Sequence, residues 1–175
     1  GEDKINYTLS RAEGEDVGEY AIEVTLGDNP NYEVTKTDAK LTITPKAVTV
    51  TADNKSKTYG EADPELTAKV DGTINGDTVD YTLSRATGED AGDYPITASG
   101  KAAQGNYTVT YNPGTLTITK KSVDVTVVAD NKTKTYGEAD PAFTAKVNGT
   151  VGEDKINYTL SRAEGEDVGE YAIEV

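Results

Sequence analysis

Short alternations of apolar and polar residues recur along the chain. Val48 and Val50 alternate with Thr49 and Thr51, Leu41 and Ile43 with Thr42 and Thr44, and Leu116 and Ile118 with Thr117 and Thr119. Tyr107, Val109 and Tyr111 alternate with Thr108 and Thr110, and Tyr94, Ile96 and Ala98 keep the same period. A period of two in Thr, Val, Ile and Tyr predicts strands with one face in a core and the other in water. No stretch holds a helical apolar period of useful length. Asp63-Pro64-Glu65 has the form of a cap and first turn, but Leu66, Ala68 and Val70 alternate again and predict a strand.

Composition pulls the other way before the pattern overrides it. Hydrophobic residues make up 35% of the 175, mean hydropathy is −0.59, and 17 Lys and Arg face 31 Asp and Glu for a net charge of −14. Such values lean toward disorder, whereas regular alternation requires an ordered sheet. His, Cys, Met and Trp are absent, and one Phe, Phe143, stands beside 11 Tyr. Without His or Cys there is no Ser-His-Asp triad, no thiol nucleophile, no disulfide, and no zinc or iron site of the usual nitrogen and sulfur kind. The acidic balance repels nucleic acid and anionic lipid, so neither is expected as a partner, and no run of 18 apolar residues predicts membrane insertion.

Internal repetition organises the chain. Residues 1–24 recur unchanged as 152–175, a spacing of 151. The stretch NKSKTYGEADPELTAKVDG at 54–72 returns as NKTKTYGEADPAFTAKVNG at 131–149, and NYTVTYNPGTLTIT at 106–119 parallels NYEVTKTDAKLTIT at 31–44. This predicts a closing part of a repeat over 1–45, a complete repeat over 46–120, and an opening part over 121–175, a window on an array of two alternating units. A boundary near 75–76, with 152–175 as a tail, is the plainer alternative.

The repeated residues read as punctuation of a small β fold. Gly60 and Gly137 end the K-T-Y runs, and Asp63-Pro64 and Asp140-Pro141 follow with turn chemistry. Asp16, Asp90 and Asp167 each precede a Gly and then a strand-opening Tyr (Tyr20, Tyr94, Tyr171), a layout similar to the tyrosine corner of immunoglobulin-like sandwiches. Asn112-Pro113-Gly114 between two alternating runs predicts a hairpin turn. About seven strand-like runs per complete unit predict an all-β chain of tandem small antiparallel β-sandwich repeats. The alternative, β-grasp repeats, requires a helix that the pattern does not supply.

K-T-Y-G-E-A-D-P, then L-T-A-K-V or F-T-A-K-V, L-S-R-A-x-G-E-D-x-G-x-Y-x-I, and a closing L-T-I-T together resemble the MBG-type repeat of large bacterial surface proteins and adhesins. The resemblance covers essentially the whole chain. It implies an extracellular, non-catalytic, stalk-like module on the bacterial cell surface or cell wall. The family name points to mucin, so a host glycan or mucin ligand is the alternative role. The family motif has no catalytic residues to carry over.

Candidate chemistry is sparse: no catalytic, cofactor or metal residues are assigned, and no cofactor is expected. Glu89-Asp90 with Asp93, Glu166-Asp167 with Glu170, and Asp53-Asn54 with Glu61 and Asp63 hold the oxygen ligands calcium prefers, but none fits an EF-hand loop and Lys or Gly interrupts each. Lys and Asn also allow an isopeptide staple in principle. A carboxylate pair for glycoside hydrolysis needs a deep cleft that a 75-residue sandwich lacks. Tyrosine suits a thin core, burying its ring while its hydroxyl reaches a turn or water; exposed rings stacking on sugars are the functional alternative. The joints, Leu41 to Val48 and Leu116 to Val123, contain no Gly/Ser linker and predict units held end to end in limited orientations, an elongated particle. The split repeat predicts head-to-tail strand complementation between neighbouring repeats of the same protein.

Overall fold

The computed structural model describes residues 4–121 and 125–175; Ser122-Val123-Asp124, part of the second joint, and Gly1-Glu2-Asp3 lie outside the described residues. All regular structure among the described residues is β, so the helix of the β-grasp alternative is not found there. Residues 1–45 form β1 (Tyr7–Arg11), β2 (Gly18–Leu26) and β3 (Ala39–Ile43), an antiparallel sheet in that order. Residues 46–120 form eight strands: β4 (Lys46–Ala52), β5 (Lys55–Thr58), β6 (Ala68–Asp71), β7 (Thr82–Arg85), β8 (Gly92–Ser99), β9 (Ala103–Gln104), β10 (Tyr107–Asn112) and β11 (Gly114–Thr119). Residues 121–175 hold β12 (Thr126–Ala129), β13 (Ala145–Asn148), β14 (Ser161–Arg162) and β15 (Ile173–Glu174).

The eight strands of the middle repeat make two four-stranded sheets, β6-β4-β10-β9 and β5-β11-β8-β7. Alternation explains which residues enter the core. Val48, Val50 and Ala52 of β4 and Tyr107 and Val109 of β10 are buried from one sheet; Ile96 and Ala98 of β8 and Leu116 and Ile118 of β11 are buried from the other. Their Thr neighbours occupy the opposite phase. Each fully buried aliphatic side chain contributes about 1.5–3 kcal/mol, which a small sandwich needs from nearly every inward position.

Repetition of sequence gives repetition of register. Val50 pairs with Val70 and Val127 with Val147; Arg11 pairs with Ile22, Arg85 with Ile96 and Arg162 with Ile173. Burial does not repeat. Every fully buried residue among those described lies between Val48 and Ile118, whereas Ile22 and Ile173, the counterparts of fully buried Ile96, are half-buried. By compactness the chain divides into two units that cut across the repeats: 1–55 with 65–87 and 94–116, and 56–64 with 88–93 and 117–175.

Three local expectations change. Asn112-Pro113-Gly114 is not a hairpin, because β10 and β11 belong to different sheets; the chain crosses there between layers, as it does between β4 and β5. The two crossings are tied together, Thr115 N–H donating to Asn54 Oδ1 at 2.9 Å and Asn112 Nδ2 to Thr51 Oγ1 at 3.3 Å. Gly114 is required by close approach: a Cβ there would stand 2.6 Å from the Ala52 carbonyl oxygen. The strand expected from Leu66 begins at Ala68. In addition, β4 and β10 run parallel, Val48 opposite Val109, because they are the first strand and a late strand of one repeat and not hairpin neighbours.

The matched leucines Leu116 and Leu41 offer a direct check. Leu116 has no exposed surface and Leu41 is 36% exposed. Leu116→Ala is expected to cost about 2–5 kcal/mol, and Leu41→Ala under about 1 kcal/mol, read from denaturant midpoints of the two variants.

Candidate functional site: charged clasps and repeat seams

The motif R-A-x-G-E-D-x-G-x-Y closes into a clasp at the end of β1, β7 and β14. In the first repeat Arg11 Nη1 donates to the carbonyls of Gly14 (2.8 Å) and Ala12 (3.2 Å), and Nη2 binds Glu15. In the third, Arg162 Nη1 donates to the Ala163 and Gly165 carbonyls, both at 2.8 Å. Each guanidinium stands over a tyrosine ring, Arg11 on Tyr20, Arg85 on Tyr94 and Arg162 on Tyr171, at 5.8, 5.7 and 5.6 Å. The ring turns its hydroxyl back onto the loop: Tyr20 donates to the Asp16 carbonyl at 2.8 Å and Tyr171 to the Asp167 carbonyl at 3.0 Å. This is the tyrosine-corner geometry that the Asp-x-Gly-x-Tyr spacing predicts. Glycine is obligatory at Gly14 and Gly165, where φ is +137° and +141° and a Cβ would overlap the tyrosine ring.

In the third repeat the clasp recruits the distant K-T-Y-G-E-A-D-P segment. Arg162 binds Asp140 through Nε (2.6 Å) and Glu166 through Nη2 (2.5 Å), while Lys134 binds Asp140 and Glu166, both at 2.7 Å. Two cations and two carboxylates thus alternate in a ring. The Arg162 guanidinium and the Lys134 ammonium hold the Asp140 carboxyl down at about 2. Lys134 and Arg162 lower Glu166 likewise. The second repeat places Lys57, with 3% of its side chain exposed, on Asp63 (2.7 Å) and Glu89 (2.5 Å), and these partners raise its pKa. A lysine at a strand position carried no signal of burial in the sequence. The structure buries it because two carboxylates, six and 32 residues away, converge on it.

Six of the acidic groups considered for calcium have other partners. Glu89 and Asp63 sit on Lys57, Glu166 on Lys134 and Arg162, Asp93 accepts from Thr117 Oγ1 (2.7 Å), Asp53 from Thr67 Oγ1 (2.5 Å), and Glu61 from the Thr58 N–H (2.9 Å). Among the described residues no three acidic side chains gather as a cation cage. The tyrosines divide between roles. Tyr107 is core, with its hydroxyl on Asp77 at 2.5 Å; Tyr20 and Tyr171 are half-buried under arginine; Tyr7 and Tyr136 are exposed.

An open cleft of about 860 Å³ lies in the third repeat, lined by Ala129–Lys134, Phe143 and Glu166–Ile173. The matching strands of the second repeat, β5 and β8, flank β11.

Two seams join successive repeats. At the first, Val17 N–H donates to Asn106 Oδ1, Asn106 Nδ2 to Asp16 Oδ1 (2.8 Å each), and Lys46 N–H to the Asn106 carbonyl (2.9 Å). At the second, Tyr59 Oη donates to Asp154 Oδ2 at 2.5 Å. The seam residues Tyr59 and Gly60 form the centre of a type II turn, with Glu61 N–H bonded to the Thr58 carbonyl at 3.0 Å and Gly60 at φ +86°. The same turn recurs at Tyr136-Gly137. A family model described as the MBG domain, YGX type, matches residues 1–42, 48–117 and 125–175. The chain belongs to the MBG domain family. No curated protein and no solved structure matches it. MBG domains are repeat modules of surface proteins, structural or adhesive in role. The tyrosine and glycine of the family's description are, in this MBG chain, the two central residues of a turn at a repeat seam.

The clasp of the third MBG repeat predicts an acid limb. The Asp140 carboxyl titrates at about 2 when folded against an ordinary 3.8, so its contribution is full above pH 3.8 and is lost as pH falls toward 2. Asp140→Asn is expected to be less stable at neutral pH and to lose less on acidification, in thermal melts compared across that range.

Proposed function

We propose that the chain is a non-catalytic stalk segment of a bacterial cell-surface adhesin or fibre, extracellular, projecting a distal domain through tandem MBG modules at 1–45, 46–120 and 121–175. The first seam carries this reading. β3 ends at Ile43 and β4 begins at Lys46, and Asn106 bonds to both sides of the step. A connection of two residues with cross-seam hydrogen bonds transmits force; a flexible linker does not. Catalysis is opposed by the charge chemistry, since a glycosidase acid needs a raised carboxyl pKa and Asp140 and Glu166 are both lowered by their cations. The net charge of −14 keeps nucleic acid and anionic lipid away.

Exposed Tyr7 and Tyr136 favour a second reading, a repeated weak contact with glycan, mucin or protein that gains by avidity. The surface hollow around Gln104 lends it little support. That amide is occupied by the Asp80 N–H and carbonyl, the Lys101 carbonyl and the Tyr111 hydroxyl. We also propose that the cleft of the third repeat accepts an L-T-I-T strand from a neighbouring repeat, head to tail, as β3 of a second copy. Its wall Gly169–Ile173 has the same sequence as Gly18–Ile22, the part of β2 that carries β3 in this chain.

On a mucin and glycan array the fragment is expected to show no saturable signal at high concentration; dose-dependent capture would replace the stalk with the binding module. Deleting 25–45 is expected to abolish concentration-dependent end-to-end association in sedimentation. Equal association of the deletion variant would remove strand complementation.

A further inference from the structure

Tyr59 and Gly60 make a contact that the repeats have in duplicate but use in one place. The Tyr59 hydroxyl reaches Asp154 of the next repeat, and a Cβ on Gly60 would stand 2.6 Å from Val151 Cγ2 of that repeat. Gly60 thus supplies close backbone approach as well as its positive φ. The turn is preformed. Glu61 closes it in the second repeat, its carboxylate accepting from Thr58 N–H at 2.9 Å; Glu138 does the same for Thr135 at 3.2 Å in the third. Gly137 has φ +85°, close to the +86° of Gly60. The surroundings differ, however: Tyr136 is 69% exposed and a Cβ at Gly137 would meet open space.

The receiving loop is also repeated. Thr150-Val151-Gly152-Glu153-Asp154 aligns with Thr73-Ile74-Asn75-Gly76-Asp77, keeping a β-branched apolar residue and an aspartate three positions later. A second observation agrees with the contact. The turn segment 56–64 and the loop 88–93 group by compactness with 117–175, which holds the end of β11 together with the third repeat.

We propose that the Tyr-Gly turn is an inter-repeat latch: the tyrosine hydroxyl and glycine face of one repeat seat on the Thr-[Val/Ile]-x-x-Asp loop of the next. Tyr59-Gly60 on Val151 and Asp154 is the seated latch. Tyr136-Gly137 is a second copy whose partner is a further repeat carrying that loop. The latch rests on the stalk reading, for it makes the stiffness of the array a property of named side chains. A preformed turn loses little entropy on seating, so one hydrogen bond and one apolar contact suffice to bias orientation.

The test uses the intact chain and matched substitutions. Tyr59→Phe and Tyr136→Phe remove the same hydroxyl from the same turn. Tyr59→Phe is expected to speed amide exchange of residues 150–155 at least about threefold, the scale of one net hydrogen bond; Tyr136→Phe leaves it unchanged in dilute solution. Asp154→Asn should reproduce the Tyr59→Phe effect, and the double variant should add little to either. Gly60→Ala should exceed Gly137→Ala in cost, because both lose the positive φ but only the first meets Val151. Equal effects of the two tyrosine variants, or additive effects of Tyr59→Phe and Asp154→Asn, would overturn the latch. Those results leave the stalk reading standing, whereas mucin capture would end that reading and leave only the Tyr59–Asp154 contact, which the exchange data report separately.

Discussion

The interior of the middle repeat is built around one strand. β11 lies between β5 and β8, and its Leu116 and Ile118 have almost no exposed surface. With it in place, β4, β8 and β10 bury their inward residues as well. In the third repeat β12 and β13 keep the register of β4 and β6, yet a cleft lies between the segments that match β5 and β8, and Val127, the counterpart of fully buried Val50, is only half-buried. The first repeat contains a counterpart of β11, β3, but no β4 or β5 beside it within residues 1–45, and Leu41 stays partly exposed. In a sandwich this thin every inward side chain needs a neighbour from the facing sheet, so burial is cooperative across the whole repeat.

Local chemistry does not depend on that closure. The arginine-tyrosine clasp has nearly the same geometry in all three repeats, whether or not the core beside it is complete. Its bonds are short-range, closing on carbonyls one to four residues away, and its glycines allow the loop conformation. The lysine contacts are different in kind. Lys57 and Lys134 each join the K-T-Y-G segment to the clasp across 32 residues of sequence, tying two loops to one another through charge. An array of such clasps is a set of preassembled ends on which seams can form.

The seams account for why the turn and the aspartate loops repeat together. Hydrogen bonds from Asn106 at one joint and from Tyr59 at the other are made by residues at loop tips, outside the alternating strand positions. In an array of repeats the orientation of neighbours is set there and stability within each repeat. The two requirements fall on different residues, which leaves the core and the joints free to vary independently.

Much of this protein was legible in its residues. Period-two alternation located the main strands of the complete repeat, because a half-buried sheet writes its two faces directly into the chain. Repetition gave the array, and the Asp-x-Gly-x-Tyr spacing gave the corner, since both are local. What tertiary structure decided involves partners distant in sequence. Asn112-Pro113-Gly114 has turn chemistry, but turn chemistry does not say which sheet receives the next strand. Nothing in the sequence marked Lys57 for burial until two carboxylates were folded onto it, and the acidic clusters held oxygen ligands without a calcium loop; the fold gives several of them to lysine and arginine. Tyr59 and Tyr136 sit in the same K-T-Y-G-E-A-D-P segment, yet one is seated on Asp154 and the other is exposed. Sequence determines the shape of the turn; only the neighbouring repeat determines whether that turn is in contact, because a contact belongs to a pair of surfaces and not to a residue.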